Sequence, residues 1–175
     1  MIINKHIEKK ILTDYFFIEG KVNINSEYFI KSINKGIKST SNENYKSHVK
    51  GQMTAWNYFV QDKMFNQLLQ QFINVVDQNL SLPNYVLSDA WGYCLKQNEH
   101  TNFHHHRPFL WSGAIYLNKH SQTLDFPQIK QSVKPEKGRF ALFSSFLEHG
   151  CVINKTLKTK YGISFNMGEL TISQN

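Results

Sequence analysis

Apolar positions change their period once along this chain. Between Val60 and Leu80, the residues Phe65, Leu68, Leu69, Phe72, Val76 and Leu80 fall on one stripe of a helical repeat, with Gln and Asn around the other face. That spacing predicts an amphipathic helix over 60–80, ended by SLPN at 81–84 because Pro83 cannot continue it. A shorter helix is predicted where Phe29, Ile30, Ile33 and Ile37 recur at helical spacing, with Ser26 as its N-cap. The rest of the first forty residues mixes short apolar clusters, such as YFFI at 15–18, with polar turns. Residues 39–50, which contain SNEN, read as a loop.

From Tyr85 onward the runs become short and β-rich: YVLSDAWGYCL, FLWSGAIYLN, RFALFSSF and YGISFNM. Turn-forming stretches separate them, among them SVKPEKG, where Pro135 and Gly138 bracket a turn. Helices first and strands after them predict an α+β chain, mainly β, with a C-terminal sheet core supported by N-terminal helices. Strands of this number and length close most readily into a sandwich, a jelly roll or a small barrel. The expected organisation is one domain over 1–175, with 1–84 as a helical or mixed support region and 85–175 as the core.

Composition narrows the function classes. At 175 residues, 41% hydrophobic and 14% aromatic, the chain can bury a sizeable core. No apolar run approaches the roughly 20 residues needed to span a bilayer. The start, MIINKHIEKKILTDYFF, lacks an apolar core followed by a small-residue cleavage site. Cys94 and Cys151 are too few for a disulfide framework, so a reducing, cytoplasmic setting is expected. The formal charge is +7, but the lysines are scattered, and nucleic acid is not an expected partner.

The chemistry concentrates in EHTNFHHHRPFLWSGAIYLN, where four of the eight histidines occupy residues 100–106. On a strand alternate side chains share a face, so His104 and His106 would point one way and His105 the other. Two imidazoles then address one point, and a third ligand must come from elsewhere: His6, His48, His100, His120 or His149. His149 stands out because it follows the β-rich run GRFALFSSFLEHG. Two ligands on one strand and a third on a later one suit a metal site in the mouth of a small β-barrel. The strand beginning at Lys160 puts Lys160, Gly162, Ser164 and Asn166 on one face. A cation at its inner start is costly to bury without an anion, so an anionic ligand reaching from the metal to Lys160 is expected.

In this order, H-x-H, SGAIYLN, PEKGRFALFSSFLEHG and K-x-G-I-S-F-N resemble the 2-oxoglutarate- and Fe(II)-dependent oxygenases, closest to a branch that includes many phage proteins. The resemblance covers roughly Asp89 to Met167. It implies a double-stranded β-helix, the cupin-like jelly roll, and oxidation of a substrate C–H bond, usually hydroxylation, with Fe(II), 2-oxoglutarate and O2. A phage-encoded chain would work in the host cytoplasm. Carried over by position, the resemblance makes His104, His106 and His149 the metal ligands. Lys160 and Tyr116 would bind the far carboxylate of 2-oxoglutarate, and Ser164 and Asn166 would line the same pocket. Trp91, Trp111 and Phe143 read as core aromatics, with Arg107 and Trp111 the candidates for edging the substrate opening.

This sequence departs from the family at three points. His106 stands where most members supply Asp or Glu, which removes a negative charge from the metal's shell. Lys160 replaces an Arg, keeping the charge but losing the two-pronged fork. Gly162 stands where a Ser often helps hold the carboxylate. Three imidazoles also suit zinc, so a cupin-like three-His module holding Zn or Ni without oxygenase activity is the rival reading. A zinc hydrolase would need a general base, for which only Glu99 and Glu148 are near.

Overall fold

The computed structural model describes residues 2–10, 14–39 and 48–170, the first of these by its strand pairing. In chain order, β1 (Ile2–Lys10) and β2 (Asp14–Lys21) precede α1 (Ser26–Ser39), and the short strands β3 (Val49–Lys50) and β4 (Gln52–Met53) precede α2 (Lys63–Asn79). Then come β5 (Tyr85–Leu95), β6 (His100–His104), β7 (Trp111–Tyr116), β8 (Leu124–Phe126), β9 (Gln131–Val133), β10 (Arg139–Ser144), β11 (His149–Cys151) and β12 (Lys160–Glu169). Two antiparallel sheets result. The major sheet has the order β1-β2-β10-β7-β12-β5-β4, and the minor sheet the order β3-β6-β11-β8-β9.

The sequence pattern explains the three layers. Along β12, Ile163, Phe165 and Met167 point to one face and Lys160, Gly162, Ser164 and Asn166 to the other. The first face joins Phe16, Ile18, Trp111, Ile115, Phe140 and Leu142 under the helices, against Phe29, Ile33, Phe65, Leu68, Phe72 and Val76. Each such side chain contributes about 1.5–3 kcal/mol on burial. The second face meets the minor sheet, where Phe17, Tyr116 and Phe143 pack on Leu124, Phe126 and Val133. Covered on both sides, β7 is buried at every position and shows no polar alternation. Gly138, at φ +78°, closes the expected turn, where a Cβ would lie 2.0 Å from the Val22 carbonyl oxygen.

The helix boundaries differ slightly from expectation. The longer helix starts at Lys63 because Asp62 caps it, its Oδ1 accepting from the Phe65 N–H at 2.8 Å. In α1 the cap is Asn25, not Ser26: Asn25 Oδ1 accepts from Tyr28 N–H at 3.2 Å, while Ser26 Oγ has no partner. The larger difference lies upstream, where β1 and β2 extend the major sheet beyond β10. YFFI lies inside β2 with both faces covered, so it lacked a period. Of the expected loop over 39–50, residues 40–47 lie outside the described residues, and Val49–Lys50 pairs with β6. No helix among the described residues is long and apolar enough to cross a membrane.

Candidate metal centre

The inner face of β7, β12 and β5 is laid out in rows set by strand register. Asn166 pairs with Ser112 and Asp89, Ser164 with Ala114 and Trp91, Gly162 with Tyr116 and Tyr93, and Lys160 with Leu95. Successive rows are two residues apart, about 7 Å along the strands. Three histidines from the minor sheet and its flanking loop face the second of these rows. With Trp91, Ala114, Ser164 and Phe143 they line a narrow cavity of about 40 Å³.

His104 ends β6 and lies directly across from His149, which begins β11. His106 lies past the end of the strand. Its place is set by its own N–H, which donates to the Ser145 carbonyl at 2.7 Å. The two residues thus converge as the H-x-H pattern requires, but a loop delivers the second one. One donor atom from each of His104, His106 and His149 falls within 4.8 Å of the others. His105 is exposed and turned away.

Hydrogen bonds prepare these rings to coordinate. His104 Nδ1–H donates to the Asn102 carbonyl at 2.7 Å, and His149 Nδ1–H to the Leu147 carbonyl at 2.9 Å. A carbonyl only accepts, so in both rings the proton is on Nδ1 and Nε2 carries the lone pair. His149 Nε2 is 3.2 Å from His106 Nε2. Two nitrogens bound to one ion at about 2.1 Å, at angles of 90–110°, lie about 3.0–3.4 Å apart. Burial, followed by the neighbouring imidazoles, holds His106 down to about 2. Burial likewise holds His104 to about 4 and His149 to about 3. All three are therefore neutral near pH 7, as ligands must be.

At the closed end of the same face Lys160 is 1% exposed. Its Nζ donates to the Gln122 carbonyl at 3.3 Å and lies 5.8 Å from the centre of the Tyr116 ring. No carboxylate forms an ion pair with it among the described residues. Burial lowers its pKa, and nearby Cys151 and then Asp125 oppose that shift. Tyr116 is fully buried, and the hydroxyl beside its own is that of Tyr93. Beside it, a Cβ on Gly162 would lie 2.5 Å from the Tyr93 hydroxyl oxygen, so Tyr93 occupies the space a serine there would need. A buried ammonium and a buried phenol, on the inner face that carries the histidines' row, have the chemistry to hold an anion.

Three expected site residues lie elsewhere. Trp111 does not edge an opening: it points to the helix side, 0% exposed, against Phe16, Tyr85 and Phe165. It alternates with Ser112, and only the Ser112 face looks inward. Asn166 is on the inner face but three rows from Lys160, with its amide engaged by Asp89 (2.8 Å) and Ser112 (2.6 Å). Arg107 is exposed with its guanidinium 5.7 Å over Phe146. It lines a separate groove of about 640 Å³ that none of the three histidines borders. Of the other histidines, His48 stacks on His104 at 4.5 Å, His100 bonds Asn102, and His120 bonds the Lys158 carbonyl. The side chain of His6 lies outside the described residues.

Sequence reasoning missed Tyr93 and Asp89 as members of this face, with Cys151 packed across from Tyr93 on β11, and read Trp91 only as core. Trp91 lines the cavity with an unpartnered, buried indole N–H, its ring 5.9 Å from that of His106. The signal was available in the alternation Asp89, Trp91, Tyr93, once the phase of β5 is known.

No protein-family model matches the chain, and no curated protein matches it. Solved structures do. The viral collagen prolyl hydroxylase vCPH from Paramecium bursaria Chlorella virus-1, in its 2-oxoglutarate complex, aligns with a TM-score of 0.70 at 16% identity, over 89% of this chain and 96% of that one. HygX from Streptomyces hygroscopicus, with nickel and 2-oxoglutarate bound, aligns at 0.67 and 10% identity, over 90% and 84%. A Pseudomonas putida prolyl-4-hydroxylase aligns at 0.66 and 12%, over 89% and 93%. The fold is the jelly roll of the 2-oxoglutarate-dependent oxygenases.

Proposed function

We propose that this chain is an Fe(II)- and 2-oxoglutarate-dependent oxygenase, a hydroxylase of a substrate C–H bond. His104, His106 and His149 hold the metal through Nε2. Lys160 anchors the far carboxylate of 2-oxoglutarate, assisted by the hydroxyls of Tyr116 and Tyr93. The observation that carries this reading is Lys160, a buried cation with no ion-pair partner among the described residues, on the face opposite three converging imidazoles. When bound, the metal with 2-oxoglutarate and O2 supplies the oxidation, yielding succinate, CO2 and a hydroxylated product. The chain's own part is to orient: Asn102 and Leu147 fix two ligand tautomers, and Ser145 fixes the position of His106. Phe143, Trp91 and Leu124 keep bulk water from the cavity.

The second reading, a three-His module holding Zn or Ni, is favoured by the lack of a carboxylate among the three clustered groups. Succinate formation separates the two. The oxygenase reading expects succinate above background after Fe(II) loading and none after zinc loading, even without the primary substrate at hand. Absence of succinate, together with recovery of turnover in His106→Asp, would assign the chain to the metal-binding module.

A further inference from the structure

The row beyond the histidines, Ser112–Asn166–Asp89, lies three rows from Lys160 and is hydrogen-bonded within itself. The opposite end of the face is closed, since Lys160 is 1% and Leu95 0% exposed. With that end closed, the approach left along the face runs over the half-buried Asp89, about 7 Å along β5 from Trp91.

That entrance has definite chemistry. The Asn166 amide N–H donates to Asp89 Oδ1 at 2.8 Å, and Ser112 Oγ–H donates to Asn166 Oδ1 at 2.6 Å. This relay fixes the carboxylate from one side and leaves its second oxygen without a partner among the described residues. Trp56 stands beside it: its carbonyl accepts from the Ala90 N–H at 2.9 Å, and its ring packs edge-on against Trp91 at 4.6 Å. Trp56 is 37% exposed. A carboxylate oriented by a neutral amide, next to an exposed indole, recognises a positively charged nitrogen. No cationic side chain of this chain occupies the position among the described residues.

We propose that Asp89, oriented by Asn166 and Ser112 and flanked by Trp56, seats a cationic nitrogen group, an alkylammonium or guanidinium, of the primary substrate. The proposal rests on the oxygenase reading for the identity of the substrate site. It is tested by calorimetric titration of the nickel-loaded protein, with and without 2-oxoglutarate. The probes are N-acetyl-arginine amide and N-acetyl-lysine amide, each against its uncharged counterpart carrying citrulline or norleucine. At least one cationic probe should bind about tenfold or more tightly than its counterpart. Asp89→Asn, which keeps the acceptor for Asn166, should lose that preference, and Asp89→Glu should retain it. No preference in the parent protein, or an equal preference in Asp89→Asn, overturns the proposal. Failure of 2-oxoglutarate to bind the parent falls instead on the cosubstrate reading, because the cation preference is read in its absence as well.

Discussion

The two faces of the sheet formed by β7, β12 and β5 are made from the same residues in alternation, yet they serve opposite ends. On the helix side, Trp111, Ile115, Ile163 and Phe165 meet Phe65 and Phe72 in an apolar core, where the buried polar atoms without a partner among the described residues are the Trp111 indole N–H and Ser26 Oγ. On the inner side Trp91 keeps a buried, unpartnered donor, Tyr116 buries its hydroxyl beside that of Tyr93, and Lys160 is a desolvated cation without an ion pair among the described residues. A face optimised for stability would not hold these groups. The helix side supplies the free energy that lets the inner side keep these groups.

The largest expected effects break the comparison directly. Phe72→Ala should remove about 3–5 kcal/mol of stability, read as a lower urea midpoint, while the folded fraction still binds nickel. His149→Ala should do the reverse, with metal affinity falling at least about 100-fold and the midpoint of the metal-free protein unchanged or higher. His105→Ala should retain the metal. If His105→Ala is the variant that loses it, the ligand assignment is wrong.

Lys160 sharpens the contrast. Truncating one partner of a desolvated charge pair costs about 2–5 kcal/mol. Lys160→Ala should therefore weaken 2-oxoglutarate binding by roughly 30-fold to a few thousand-fold, with metal binding nearly unchanged. Lys158→Ala is the control and should bind normally. Without ligand, Lys160→Met should be more stable than the parent, because it removes an unpaired buried charge. Equal, small losses of 2-oxoglutarate affinity in the two alanine variants would make Lys160 a structural residue only.

The smallest effect is acid sensitivity of the metal-free protein. Folded, His104 titrates near 4, His106 near 2 and His149 near 3. Unfolded, they titrate near 6.5. From about pH 6.5 down to about 4 the unfolded chain thus binds more protons, and stability falls as the pH falls. Asp89, raised to about 6 by burial, works the other way below that pH, because the folded state takes up its proton first. Three histidines outweigh one carboxylate. Between pH 7 and pH 4.5 the acid loss should shrink by about 1 kcal/mol or more in the His104→Ala, His149→Ala double variant. An undiminished loss would mean that those rings are hydrated in the folded chain.

What could be read along the chain followed from period. The stripe from Phe65 to Val76 had to be a helix, and YVLSDAWGYCL emerged as β5 over the same residues. Short minor-sheet strands such as Leu124–Phe126 and Gln131–Val133 span three residues each, too few for a period to register. The strand at 14–21 is buried on both faces and carried no alternation to read.

The site divides in the same way. Residue type and order along the chain singled out His104, His106, His149 and Lys160 as candidates, because metal and anion chemistry call for imidazole and ammonium, and the family resemblance added Tyr116. Which side of the sheet each neighbour faces was decided only by tertiary register. Trp111 went to the helices, Asn166 went to the row beyond the metal, and Tyr93 took the space that Gly162 leaves. Side-chain direction alternates with every residue, so a role assigned from sequence stays undetermined until strand pairing sets the phase.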